Sequence, residues 1–153
     1  MTKDKFNPYN HFGFLTNRAG RLIRKHVAPE MKRQGLDMPS SCIGILAELW
    51  LQDGLSQKEL GLSIIKTKSS INKMLQQMID AGMIVKKTDE KDRRVSRIFL
   101  TEKGKLLKKK IIKISSKMDE DLLTEHSPEE IEIAKKVLTT LYLNLTKITQ
   151  KII

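Results

Sequence analysis

Residues 88–104 read TDEKDRRVSRIFLTEKG. Three acids and four bases fall in the ten residues from Thr88 to Arg97, and the chain then turns apolar at Ile98-Phe99-Leu100 before Thr101. Upstream lies a short apolar run, Met83-Ile84-Val85, suited to a strand. The run from Val95 to Leu100 alternates, with Val95, Arg97 and Phe99 on one side. Two β-prone runs around a charged loop read as a hairpin with Arg93 and Arg94 at its tip.

Helices surround this hairpin. Thr67 is placed to cap a helix through Ala81 that turns Ile71, Leu75 (or Met74) and Met78 inward, and Gly82 stands where a left-handed terminator is wanted. Before it, Ser56-Gln57-Lys58-Glu59 is a capping box opening a short helix with Leu60 inward. Pro39 opens an earlier helix with Cys42, Ile45, Leu46 and Leu49 inward, closed by Asp53-Gly54. Asn7-Pro8 starts a first helix, in which Leu15, Ala19, Leu22, Ile23 and Val27 recur at helical spacing up to Gly35. Downstream, Thr101 caps a helix carrying Leu107, Ile111, Ile114 and Met118. Ser127-Pro128-Glu129-Glu130 caps the last one.

That last helix places Ile131, Ala134, Leu138, Leu141, Leu145, Ile148 and Ile152 at alternating steps of three and four, a heptad seam. A seam of this kind suits an interface between two copies of the chain, with Leu15, Leu22, Leu138, Leu141, Leu145 and Ile148 as its expected residues. The fold class expected is therefore mainly α with a small β-hairpin wing, a winged helix-turn-helix. A single domain spans 1–153. Its core is 36–100, and 7–35 with 101–153 form a helical dimerisation region.

Charge points to the partner. The 153 residues carry a formal net charge of +11. Residues 86–110 alone hold eleven bases and four acids, a net +7, while residues 111–153 hold six bases and seven acids. Localised basic charge implies an anionic partner. In a helix-turn-helix the second helix enters the major groove. Here that helix shows Lys68, Ser69, Asn72, Lys73, Gln76 and Gln77 outward, with no acid before Asp80. Asn and Gln suit adenine, and Lys suits guanine or phosphate. An Arg at the wing tip suits the negative potential of a narrow minor groove. Double-stranded DNA is the expected partner. Arg93, Arg94 and Arg97 join the contacts, and Asp92 orients the wing.

The stretch from Asp53 to Leu107 resembles the DNA-binding core of the multiple antibiotic resistance regulator (MarR) family. The matching residues are Leu55-Ser56-Gln57-Lys58-Glu59-Leu60, Ser69-Ser70-Ile71-Asn72-Lys73, Gly82-Met83-Ile84, Asp92-Arg93-Arg94 and Leu100-Thr101-Glu102-Lys103-Gly104. The resemblance implies a homodimeric transcription regulator, read here as a repressor, on a pseudo-palindromic operator. Carried over by position, Asp92 holds the wing, Arg94 enters the minor groove, and Ser69, Ser70, Asn72 and Lys73 meet the major groove. The resemblance further implies a small-molecule ligand that releases DNA, with His11, Phe12, Arg18, Trp50 and Met83 as candidate cleft residues. Gln77 and Ile79 depart from the family, which often has Arg and Glu there.

Other classes find less support. No glycine-rich nucleotide loop, metal motif or nucleophile with a neighbouring His is evident, so no enzyme and no cofactor is expected. His11, His26 and His126 are scattered, which argues against a metal site. Two alternatives stand beside the DNA-binding regulator. One is a winged-helix protein-interaction module, for which an uncharged wing would be expected. The other is a redox-responsive regulator using Cys42, the one cysteine. The N-terminus lacks an apolar signal core, and no run approaches the ~20 apolar residues of a membrane span. No membrane partner and a cytoplasmic location are expected.

Overall fold

Side-chain caps set where the helices of this chain begin. In the computed structural model, which describes residues 7–36, 38–64 and 67–150, Ser56 Oγ accepts from Glu59 N (3.2 Å) and Glu59 Oε2 accepts from Ser56 N (2.7 Å). Thr67 caps the next helix through Ser70 N, and Thr101 a later one through Gly104 N. Ser127 and Glu130 form a second reciprocal box. Each cap satisfies amide groups that the helix leaves orphaned and contributes about 1 kcal/mol.

The chain divides into two compact units, Met1–Ser40 and Ser41–Ile153. In the first, Asn7 caps a single 3-10 turn, Pro8–Asn10, and helix α1 spans Phe12–Arg33. Asn7-Pro8 therefore opens a turn and not the long helix. Asn7 Oδ1 accepts from Tyr9 N at 3.0 Å, which closes the turn locally before the α-helical ladder begins. Phe12, Phe14, Leu15, Leu22 and Ile23 of α1 are all exposed large apolar side chains.

The second unit contains α2 (Ser40–Leu51), β1 (Leu55–Ser56), α3 (Gln57–Ser63), α4 (Lys68–Asp80), β2 (Ile84–Thr88), β3 (Ser96–Leu100), α5 (Glu102–Leu122) and α6 (Pro128–Gln150). The expected hairpin is present, with Ile84 opposite Leu100 and Thr88 opposite Ser96. Met83 precedes the strand, and β2 runs further into the charged stretch than its apolar part suggested. A third strand was not expected. Leu55 and Ser56 pair with Ile98 and Arg97, so the sheet order is β1-β3-β2, antiparallel throughout. Two residues are too few to give an alternating pattern. Only the partner strand makes them β.

Most inward residues read from the sequence are buried, although Met118 of α5 is only half-buried. Cys42, Ile45, Leu46, Leu49, Leu60, Ile71, Met74, Leu75, Met78, Ile84 and Ile98 are buried, as are Leu107, Ile111 and Ile114 of α5. Burying each such aliphatic side chain is worth about 1.5–3 kcal/mol. α4 packs on α3 and β2, while α5 packs on β3. Among the described residues no helix is long and apolar enough to cross a membrane.

Two glycines hold the joints of this unit. Gly82 (φ +68°) ends α4 in a Schellman turn, where Met83 N donates to Met78 O (2.9 Å) and Gly82 N to Ile79 O (2.8 Å). This aims the chain directly into β2. Gly104, in the first turn of α5, lies so close to the Met83 carbonyl that an added Cβ would sit 2.2 Å from its oxygen. Trp50 Nε1 donates to the Gly104 carbonyl at 3.1 Å, and Thr101 N donates to Met83 O at 3.0 Å. α2, the end of α4 and the start of α5 thus meet at one point.

Replacing Gly104 by Ala should lower the unfolding free energy by about 1–3 kcal/mol, the usual cost of overpacking. Gly13, where an added Cβ meets nothing within 4 Å, is the control. Gly13→Ala should leave stability equal or slightly raised. Urea unfolding followed by helix signal reads both.

Candidate nucleic-acid interface

The wing loop is built on aspartates. Asp89 Oδ1 accepts from Lys91 N (2.8 Å) and Asp92 N (2.9 Å), which folds the chain back at the end of β2. Its other carboxylate oxygen accepts a hydrogen bond from Arg97 Nε. Arg97 Nη1 in turn donates to the Gly54 carbonyl at 3.0 Å. One guanidinium therefore ties the wing loop to the turn between α2 and β1. Asp53 adds a second tie, accepting from Leu100 N at 2.9 Å. Arg97, expected among the DNA contacts, is half-buried and committed to this brace.

Asp92 sits beyond, in the loop tip. Its Oδ1 accepts from Arg94 N (3.0 Å) and Arg94 Nε (3.1 Å), and Oδ2 accepts from Nη2 (3.2 Å). The bidentate pair holds the Arg94 side chain over the tip, where it is 90% exposed. Arg93 is exposed beside it. These contacts shift the carboxylates. The Arg97 side-chain hydrogen bond, then the Asp92 and Lys91 amides, hold Asp89 at about 2. The Arg94 side chain, then its amide, hold Asp92 below the usual carboxylate range.

The outer face of α4 is presented without obstruction. Lys68, Ser69, Ser70, Asn72, Lys73, Gln76 and Gln77 are all exposed. Their side chains are not equivalent. Ser70 Oγ accepts from Thr67 Oγ1 at 3.0 Å, Gln76 donates to Asp80 at 2.7 Å, and Asn72 accepts from Gln57 of α3. Lys103 Nζ donates to the Ala81 carbonyl at 2.6 Å and so covers the negative end of α4.

Between α3, the start of α4 and the wing lies an open groove of about 940 Å3. Lys58, Lys68, Lys86 and Arg94 line it over an apolar floor that includes Leu62, Ile71 and Val95. Its described lining includes no carboxylate. Lys58 and Lys86 were counted in the basic charge but assigned to no site. Only the fold brings them beside Lys68 and Arg94. The leading Asp of a loop is a recognised turn signal, so Asp89 was findable from the sequence.

The other candidate residues lie elsewhere. His11, Phe12 and Arg18 belong to the first unit, with the Arg18 guanidinium 5.5 Å from the Tyr9 ring centre. Trp50 and Met83 belong to the second, at the Gly104 joint. None of the five lines the groove. Cys42 is buried, and burial raises its thiol above the ordinary cysteine value. Among the described residues no group of three His, Cys, Asp or Glu could hold a metal ion. Leu15, Leu22, Leu138, Leu145 and Ile148 are exposed apolar side chains, and Leu141 is half-buried. Ile152 lies outside the described residues.

A polar helix face flanked by a basic groove whose described lining has no carboxylate, beside an arginine-tipped wing, defines a winged helix-turn-helix regulator that binds DNA. The MarR family model matches residues 41–96. The chain is 30% identical over 132 residues to the organic hydroperoxide resistance transcriptional regulator of Bacillus subtilis (strain 168), covering 86% of this chain and 87% of that one. Among solved structures it superposes on a MarR transcriptional regulator from Methanosarcina mazei Go1 with a TM-score of 0.81 at 27% identity, over 89% of this chain and 96% of that one. It shares the fold of MepR from S. aureus in complex with DNA, with a TM-score of 0.73 at 23% identity, over 88% and 98% of the two chains. The chain belongs to the MarR family of transcriptional regulators.

The Asp89–Arg97 contact predicts a pH response. Asp89 titrates below the ordinary aspartate value of 3.8, at about 2. A carboxylate whose pKa is lowered by folding stabilises the folded state above its unfolded value, and that contribution is lost as pH falls through the folded one. Stability should therefore decline between about pH 4 and pH 2, and Asp89→Asn should flatten this part of the profile. Denaturant midpoints across that range check it.

Proposed function

We propose that this chain acts as a homodimeric repressor, placing α4 of each copy in the major groove of a pseudo-palindromic operator and each wing over the adjacent minor groove. The observation that carries this reading is the groove between α4 and the wing, which gathers Lys58, Lys68, Lys86 and Arg94 without a carboxylate. Phosphates passing across this face would meet cations on both sides. Lys68, Ser69, Ser70, Asn72, Lys73, Gln76 and Gln77 meet base edges and backbone from α4. Arg93 and Arg94 extend from the wing. Asp92 positions Arg94, and Arg97 braces the wing from behind. A regulator working on DNA belongs in the cytoplasm.

The exposed apolar residues of α1 and α6 support the dimer. Leu145 is 51% exposed and Ile148 55% in a single chain, and they continue the heptad seam. A second copy would cover them. A small-molecule inducer fits the family pattern; His11, Phe12 and Arg18 of the first unit and Trp50 and Met83 of the second stay the candidates to contact it. The Bacillus relative is named for organic hydroperoxides. Cys42 is buried and its thiol is raised by that burial, which favours the unreactive thiol and argues against a thiol-based version of that response here.

Two measurements test the reading. Duplexes selected from a random pool should bind in fluorescence anisotropy titrations, with affinity falling steeply as salt rises. Arg94→Ala should weaken binding about tenfold and reduce the slope of log affinity against log salt by about one. Unchanged affinity would remove the wing from the interface. In light scattering the chain should weigh twice its 17.6 kDa, and Leu145→Asp should yield monomers with unchanged helix content. A persisting dimer would move the interface off α6.

A further inference from the structure

The side-chain contact between α3 and α4 has a consequence for base recognition. Gln57 is the first residue of α3, directly after the Ser56 cap, and its Nε2 donates to Asn72 Oδ1 on the outer face of α4. Gln57 also lines the basic groove, so its amide lies on the face where DNA is proposed to sit. One turn further along α4, Gln76 is drawn toward Asp80. Asn72 is thus the reading-helix amide held by another helix of the fold.

A carboxamide has two acceptor sites on oxygen and two donor protons on nitrogen. In this arrangement Gln57 takes one acceptor site and holds the Asn72 amide against α3. One acceptor site and both donor protons remain. Adenine shows an acceptor (N7) beside a donor (N6) in the major groove, whereas guanine shows two acceptors (N7 and O6). The held amide matches adenine. Against guanine, which offers two acceptors, the amide oxygen would meet an acceptor whichever way the amide faces.

We propose that Gln57 is a specificity-determining positioning residue, fixing Asn72 to read adenine at one position of each half-site. The inference rests on the DNA-binding reading above. Gln57→Glu is the informative variant. Its carboxylate cannot donate and accepts instead from Asn72 Nδ2, which turns the amide over. Gln57→Ala removes the hold altogether.

The experiment is recovery of bound duplexes from a random pool by the full chain and by the Gln57→Ala, Gln57→Glu, Asn72→Ala and Gln57→Ala/Asn72→Ala variants. The native chain should enrich one adenine per half-site whose preference Asn72→Ala abolishes. Both Gln57 variants should lose about tenfold of that preference, the scale of one bidentate contact. Other positions should keep theirs, and the double variant should match Asn72→Ala. Retained adenine preference in both Gln57 variants would overturn the proposal. So would an equal weakening at every position, which marks a merely structural residue. A native pool with no enriched sequence would overturn the DNA-binding reading itself, a result distinct from either.

Discussion

The basic face of this protein depends on how its wing is held, and one guanidinium ties the wing loop to the turn before β1. Arg97 projects from β3, takes the Asp89 carboxylate on one side and reaches the Gly54 carbonyl on the other. A hairpin in isolation is marginally stable and free to swing. Here β1 pairs along its inner edge, and the Arg97 bridge joins its loop to the same turn. Charge in the wing therefore serves two purposes that composition does not separate. Some of it fixes the loop, and the rest remains outward.

The same division runs through the tip. Asp92 folds Arg94 onto itself by two side-chain bonds and one backbone bond. An exposed pair of this kind contributes little stability. Its value is geometric. It keeps a long, flexible side chain in one direction, so less rotamer entropy remains to be lost when an anion is met. The Gly104 joint plays the corresponding part on the other side of α4. The Met83 carbonyl, the Trp50 indole and the start of α5 converge there, so that side of the second unit has little slack. A reading helix anchored at its end by a Schellman turn and braced at its start by Gln57 is held at both ends.

Much of the fold was legible in the sequence because local signals agreed. Ser56, Thr67, Thr101 and Ser127 each start the helix their spacing announced, and Gly82 ends α4 where the pattern broke. The inward positions of α2, α4 and α5 followed from periodicity alone. The strand β1 was not legible, since two residues adopt β geometry only by pairing with β3. The turn at Pro8–Asn10 was misjudged because a capping Asn followed by Pro suits a 3-10 turn as well as a longer helix.

For the site, the sequence by itself determined which face of α4 is polar, that its charge is positive, and that an Asp precedes the tip arginines. These are properties of spacing and residue type, and no tertiary contact is needed to read them. Only the tertiary structure decided that Arg97 braces the wing through Asp89 and Gly54. The same holds for Lys58 and Lys86 joining Lys68 and Arg94 around one groove, and for Gln57 holding Asn72. Each is a contact between groups far apart in the chain. Their meeting depends on how α3, α4 and the sheet pack, which no local pattern specifies.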